Sequence, residues 1–156
     1  MKIARIGEIG SERPAVIDGD SAIFVDSLVS DWDRENLEAG GYLRVANADL
    51  NSLPRTPLAG LRYGAVINKP TKIICVGLNY LAHIKEAGFD TPPEPVIFMK
   101  APDSITGPND DVVIPPNSAA TDYEVELAIV IGKSALYLKS PEDSAEHILG
   151  YTVSQD

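Results

Sequence analysis

The sequence has one cysteine, no long apolar run and no N-terminal signal segment. The single Cys75 forms neither an intrachain disulfide nor a cysteine zinc cluster, and it suits a reduced cytoplasmic setting. The longest apolar runs, such as residues 73–78, are far shorter than the roughly 20 residues of a membrane-spanning helix. The first ten residues lack the apolar core of a signal peptide. These absences predict a cytoplasmic protein without a membrane partner.

Basic residues are also scarce. The chain has 13 Lys and Arg against 23 Asp and Glu, and its net charge at pH 7 is -10. This charge repels polyanions, so we expect no nucleic-acid partner. A small anionic substrate remains compatible, because a bound cation reverses the sign of the charge locally. With 156 residues, 44% of them hydrophobic, the chain is typical of a globular protein of one domain or slightly more.

Short strand patterns outnumber helical ones, which predicts a mainly β or α+β fold. We expect a small β-rich N-terminal domain at residues 1–67, with a hairpin at Asp18-Gly19-Asp20 and a short helix at 33–39. A second domain follows at residues 68–156. Its predicted strands are 72–77, buried on both faces, and 96–101, 112–114, 121–132 and 151–156, and its predicted helices are 80–88 and 140–150. Because the sequence stops within a predicted strand, we expect it to be part of a longer protein.

The predicted strand TDYEVELAIVIG, residues 121–132, carries acidic and apolar residues in alternation. Successive side chains of a strand point to opposite faces, so Glu124 and Glu126 share a face with Asp122. Two glutamates at this spacing can bind one cation, and oxygen ligands favour Mg²⁺, Mn²⁺ or Ca²⁺ over zinc. Asp156 is a candidate third ligand by its parity on the last strand. The alternative is a solvated acidic face.

Both faces of this segment become apolar after residue 127. We therefore expect the strand to enter a hydrophobic core there, with the carboxylates at the rim of that core.

His83 and Glu86 are three residues apart on a predicted helix, so their side chains can meet. A carboxylate beside a histidine fixes its tautomer and raises its basicity, as a general base requires. The alternative is a surface pair with no catalytic role. Lys100 ends an apolar strand, where it either faces a pocket and binds an anionic group or is a solvated edge lysine.

Four separated segments, taken in order, resemble the fumarylacetoacetate hydrolase family. They are residues 72–88, 92–116, 121–132 and 148–156. The resemblance implies the family's mixed β-roll, a distorted barrel that is incomplete in this chain, preceded by the small N-terminal domain. It also implies a homodimer.

The resemblance further implies a site. Its metal ligands for Mg²⁺ or Mn²⁺, with Ca²⁺ also possible, are Glu124, Glu126 and Asp156, and its catalytic pair is His83 and Glu86. Gln155 stands where the family usually has Asn. We also predict Lys100 and Tyr80 as substrate-binding residues. A lysine that assists catalysis in the family lies downstream of the third ligand and outside this sequence.

The implied activity is metal-dependent hydrolysis of a C–C bond in a β-diketo acid, a keto-acid substrate of the acylpyruvate type. Members that act on diketo-deoxy sugar acids have the most similar second segment. Decarboxylation of oxaloacetate and isomerisation of hydroxymuconate-type dienoates are alternatives, because the same metal site serves them. A catalytically silent metal-binding or interaction module is a further alternative.

Overall fold

The computed structural model describes residues 1–156 as a mixed α+β fold that is rich in strands and forms no closed barrel. The strands are β1 (Lys2–Ile6), β2 (Arg13–Asp18), β3 (Ser21–Phe24), β4 (Arg55–Pro57), β5 (Ile73–Gly77), β6 (Val96–Lys100), β7 (Val125–Ile131) and β8 (Ile148–Gln155). The α-helices are α1 (Arg34–Glu38), α2 (Gly41–Ala46) and α3 (Leu81–Ala87), and the 3₁₀ helices are Leu50–Ser52, Pro102–Ser104 and Pro141–His147. The predicted α+β class with an incomplete roll is confirmed. None of these helices has the length and apolarity that crossing a membrane requires.

The chain divides into two compact units, one made of Met1–Asn68 with Thr106–Asp156 and the other of Lys69–Ile105. The first unit contains the antiparallel sheet β1-β2-β3-β4 and the hairpin β7-β8, and the second contains the hairpin β5-β6 and α3. This division and the predicted one both break the chain near residue 68. The assignment of residues 68–156 to one catalytic domain stays a prediction.

The core of the first unit surrounds Trp32, which is fully buried and donates its indole N–H to the carbonyl of Ala15 at 3.3 Å. The apolar side chains that pack with it come from β2, β3, α1, α2 and the segment after β3: Val16, Ile23, Val25, Val29, Leu37 and Val45. Leu149 of β8 also packs against this cluster. The hairpin β7-β8 is therefore joined to the N-terminal sheet through apolar contacts.

The turn between β2 and β3 forms as predicted. Asp18 pairs with Ser21, and Gly19 adopts a φ of +55°, a left-handed conformation that glycine adopts without steric cost. The predicted helix at 33–39 is α1, whose N-terminus is capped by Asp33 through a hydrogen bond from the Asn36 backbone N–H.

Three local predictions are wrong. Residues 112–114 form no strand, since they pair with no neighbour and run into two prolines, which lack an N–H. The segment 140–150 holds a 3₁₀ helix, and β8 begins earlier than expected, at Ile148. Residues 72–77 are not buried on both faces, because exposed and half-buried residues alternate along β5, and Ile74 is 60% exposed.

An ionic network fastens the segment after residue 106 to the N-terminal sheet. Arg62 donates two hydrogen bonds to Asp110, at 2.7 and 2.6 Å, and one to Glu12 at 2.9 Å. Arg5, only 7% exposed, donates to Glu12 at 3.3 Å and to Asp31 at 2.7 Å. Glu12 thus joins both arginines, and each buried charge has a hydrogen-bonded counter-charge, which offsets its desolvation cost.

The arginines shift the titration of the acidic members. The hydrogen bonds from Arg62 hold the pKa of Asp110 below its ordinary value. Burial of Glu12 acts to raise its pKa, but the hydrogen bond from Arg62 and the charges of both arginines outweigh burial, so this pKa is lowered as well. Carboxylates with a lowered pKa stabilise the fold above their ordinary pKa, and this contribution is lost as the pH falls through the lowered value.

We expect Asp110→Asn to lower the urea midpoint of unfolding at pH 7. The difference from the wild type should shrink as the pH falls below the ordinary value of 3.8 and through the lowered pKa of Asp110, because the wild type then loses the same ionised carboxylate. Urea titrations monitored by the fluorescence of Trp32 measure both effects. Asp111→Asn, at an exposed neighbouring acid, is the matched control and should leave the midpoint unchanged. A deficit for Asp110→Asn that stays constant with pH would contradict this ionic role.

Candidate metal centre

The candidate metal ligands are positioned by the antiparallel pairing of β7 with β8. Glu126 lies opposite Ser154, and Leu127 lies opposite Val153. Directly opposed residues share a face of the sheet, so Glu126 and Ser154 lie on one face and the two apolar residues on the other. Alternation along each strand then places Asp156 on the face of Glu126.

The pairing continues beyond the ends of both strands. The backbone N–H of Asp156 donates to the carbonyl of Glu124 at 2.8 Å. This bond holds the two chain segments together where all three acidic residues meet. Carboxylate oxygens of Glu124, Glu126 and Asp156 all lie within 4.8 Å of one another.

The spacing of these three carboxylates fits a hard divalent cation. Two oxygens bound to one ion lie at most about 4.2 Å apart for Mg²⁺ and about 5.2 Å apart for Ca²⁺, twice the respective metal–oxygen distances. The observed limit of 4.8 Å lies inside the Ca²⁺ span and needs only a small contraction for Mg²⁺. Glu126 and Asp156 are half-buried and Glu124 is exposed, so the group remains accessible from solvent.

The opposite face of the hairpin β7-β8 is apolar and exposed. Leu127 is 59% exposed and Ile129 is 52% exposed, and Tyr151 and Val153 of β8 are exposed beside them. The expectation that the strand enters a core after residue 127 is therefore wrong for this face. The alternation shows which side chains share a face, but not whether another layer covers them.

The predicted catalytic pair lies on α3, in the second unit. His83 Nδ1 is 3.8 Å from Glu86 Oε2, which is close for an ion pair and too long for a hydrogen bond. The side chains are 54% and 83% exposed, so both are accessible to a substrate.

The two predicted substrate-binding residues flank the same unit's hairpin and helix. Lys100 ends β6, is half-buried and pairs with Ile73 across the hairpin β5-β6. Tyr80 precedes α3 at its N-cap position and is 46% exposed. A cavity of about 220 Å³ in this unit is lined by residues 76–79 and 91–96. None of the predicted site residues lines this cavity.

Comparison with known proteins identifies the family. A family model described as the C-terminal region of fumarylacetoacetate (FAA) hydrolase matches residues 72–156. A 2,4-didehydro-3-deoxy-L-rhamnonate hydrolase of Sphingomonas sp. (strain SKA58) is 38% identical over 157 residues, which cover 100% of this chain and 53% of the relative. A mitochondrial oxaloacetate tautomerase of Homo sapiens is 45% identical over 113 residues, 72% of this chain and 35% of the relative.

A solved structure gives the same result for the fold. The maleylpyruvate hydrolase of Sphingobium sp. SYK-6, in complex with manganese(II) ion and pyruvate, matches with a TM-score of 0.78 and 29% sequence identity. The match covers 100% of this chain and 58% of that one, so the present chain spans about half the length of the relatives that it matches throughout. Since the family model matches more than half of the 156 residues, the protein belongs to the fumarylacetoacetate hydrolase family.

Proposed function

We propose that the protein is a divalent-metal-dependent hydrolase that cleaves a C–C bond in a β-diketo acid. The observation that carries the proposal is the convergence of three carboxylates within 4.8 Å on the hairpin β7-β8. Support comes from the relatives, since one is named a hydrolase of a 2,4-didehydro-3-deoxy sugar acid and another was solved with manganese(II) and pyruvate. Acylpyruvates and diketo-deoxy sugar acids are the substrate classes that this proposal covers.

In this proposal Glu124, Glu126 and Asp156 hold the cation, Mg²⁺ or Mn²⁺, and Ca²⁺ also suits the oxygen ligands. The bound cation supplies Lewis-acid stabilisation for the negative charge that develops on the keto-acid fragment when the C–C bond breaks. The carboxylates also set the local charge: the three groups carry a formal charge of −3, and a bound divalent cation would reduce it to −1.

His83 acts as the general base and removes a proton from the water that attacks the distal carbonyl. Glu86 accepts a hydrogen bond from the ring N–H on the other side, which fixes the tautomer and raises the basicity of the imidazole. The catalytic pair belongs to the unit Lys69–Ile105, and the carboxylates belong to the other unit. The hydroxide adds to the distal carbonyl, the C–C bond breaks, and the leaving carbon takes up the proton held by His83, which gives a carboxylic acid and pyruvate or a pyruvate derivative.

Lys100 and Tyr80 are proposed to orient the substrate. An ammonium group is a point charge with three donors and suits a substrate carboxylate, and a phenol donates one further hydrogen bond. Their exposed or half-buried positions in the unit that carries the His83–Glu86 pair are compatible with this role. The proposal also includes assembly as a homodimer.

A second candidate function is the interconversion of the tautomers of oxaloacetate. It is favoured by the 45% identity to the human tautomerase over 113 residues, 72% of this chain. Both reactions place negative charge on the 2-oxo acid fragment, so the same three carboxylates and cation suit either. Hydrolysis breaks a C–C bond, and tautomerisation does not. Decarboxylation of oxaloacetate also breaks a C–C bond, but it is recognised by its release of CO₂.

We expect Glu124→Gln and Glu126→Gln each to weaken Mn²⁺ binding at least about tenfold, since even residues that only support metal ligands cost that much when replaced. Isothermal titration calorimetry of the purified protein with MnCl₂ measures the change. Glu146→Gln is the matched control, because this exposed carboxylate lies on the same unit and pairs with Lys133 at 2.9 Å. Affinities equal to the wild type in both glutamate variants would refute the proposed metal site.

His83→Ala should reduce hydrolysis by about 10²- to 10⁴-fold, the range that a general base contributes, while the Mn²⁺ affinity stays that of the wild type. Initial rates at saturating metal and calorimetry on the same preparation separate the two properties. Lys85→Ala, on the same helix, serves as the control and should keep full activity. If His83→Ala lost Mn²⁺ binding, the assignment of His83 to proton transfer would be wrong.

A substrate panel tests the function itself. Acylpyruvates, 2,4-diketo-3-deoxy sugar acids and oxaloacetate are incubated with the protein and Mg²⁺ or Mn²⁺. We expect release of pyruvate or a pyruvate derivative from at least one diketo acid, and its loss on addition of EDTA. A change in the enol absorbance of oxaloacetate, without C–C cleavage of any diketo acid, would select the tautomerase instead.

A further inference from the structure

One end of the hairpin β7-β8 is docked on the N-terminal core. Ile131 pairs with Ile148 and Val130 pairs with Gly150, so Leu149 is an extra residue that has no partner in the register. This β-bulge directs Leu149 against the cluster around Trp32. At the same end, the Gly132 N–H donates to the carbonyl of His147 at 2.9 Å.

His147 strengthens this docked end. Its side chain is 8% exposed, and its Nδ1 lies 3.3 Å from the carbonyl oxygen of Lys133. Lys133 in turn pairs with Glu146 at 2.9 Å. The chain on both sides of the connection between β7 and β8 is therefore held by backbone, side-chain and apolar contacts.

The carboxylate end of the hairpin is in a different situation. It lies six residues along β7 from Ile131, about 20 Å at the rise of an extended strand. The sheet there has two strands, and its apolar face is exposed. Two-stranded hairpins that lack a packed face are marginally stable in water, and three like charges that converge within 4.8 Å disfavour close pairing further.

We propose that the divalent cation also acts as a cross-strand clasp: its binding is coupled to ordering of residues 124–128 and 152–156, while the docked end stays ordered without it. The proposal rests on the metal site of the proposed function and assigns that site a second, structural role. A cation can join the two strands because two of its ligands belong to the β7 segment and the third follows β8. A cation that binds all three joins the strands where the apolar contacts do not.

Linkage gives the size of the effect. A cation that binds the paired state and not the opened state stabilises pairing by a factor of one plus its free concentration divided by its Kd. At a free Mg²⁺ concentration about 100 times the Kd, opening of the carboxylate end becomes about 100-fold rarer. Backbone amides that exchange through this opening slow by the same factor.

Amide hydrogen exchange of the full 156-residue chain, followed residue by residue by NMR with EDTA or with MgCl₂, tests the clasp. We expect exchange at residues 124–128 and 152–156, including the Asp156 amide that donates to Glu124, to slow about 100-fold with Mg²⁺. Exchange at residues 129–132 and 147–150 should change less than about threefold, because that end opens independently of the cation. Asp111→Asn, at an exposed acid of the same unit, should behave like the wild type, and Glu126→Gln should lose the protection.

Calorimetry with MgCl₂ on the same sample separates the two proposals. Binding of Mg²⁺ with unchanged exchange at the carboxylate end overturns the clasp and leaves the metal site intact. Binding with equal protection along the whole hairpin also overturns it, because the docked end would then depend on the cation. Absence of binding overturns both the clasp and the metal site.

Discussion

The antiparallel register of β7 against β8 is the constraint on which the candidate site depends. Glu124 and Glu126 share a face by alternation, but Asp156 joins them only because Ser154 lies opposite Glu126. A slip of one residue would turn every side chain of β8 to the other face and move Asp156 to the apolar side. The bulge at Leu149 contributes to this register, since it lets one residue enter the Trp32 core while the rest of β8 keeps its pairing.

The N-terminal region acts as the platform for this hairpin. It holds the segment 106–156 near its start through Arg62 and Asp110 and near its end through Leu149. The first contact is ionic and directional, and the second is apolar and depends on shape. The Arg62–Asp110 contact positions the chain that precedes β7, and Leu149 positions the connected end of the hairpin. The N-terminal region thus holds the connected end of the hairpin, and the pairing of β7 with β8 positions the ligands at the other end.

Sequence patterns predicted the features that depend on the local period of a strand or helix. They missed the features that depend on contacts between distant parts of the chain. Alternation was sufficient to place Glu124 and Glu126 on one face, because the period of a strand is fixed by backbone geometry. Parity made Asp156 a candidate, but the register that brings it to the same face is a tertiary property. The bulge at Leu149 does not interrupt the apolar pattern of the sequence, so nothing in that pattern indicated it. The pair Arg62 and Asp110, 48 residues apart, was equally invisible, since nothing in either segment specifies the other. The exposure of Leu127 was missed because a pattern reports a face and not the layer that covers it.

The contrast between the two sets of carboxylates shows how the fold uses its acidic residues. Glu12 and Asp110 are matched by arginines of the same chain, and the matched charges hold the N-terminal region to the following segment. Carboxylate oxygens of Glu124, Glu126 and Asp156 lie within 4.8 Å of one another, and like charges at this spacing repel. Residues that oppose local stability in this way are typical of functional sites, where the ligand supplies the compensating interaction. A divalent cation at this position would therefore stabilise the strand end as a direct consequence of the convergence of its three ligands.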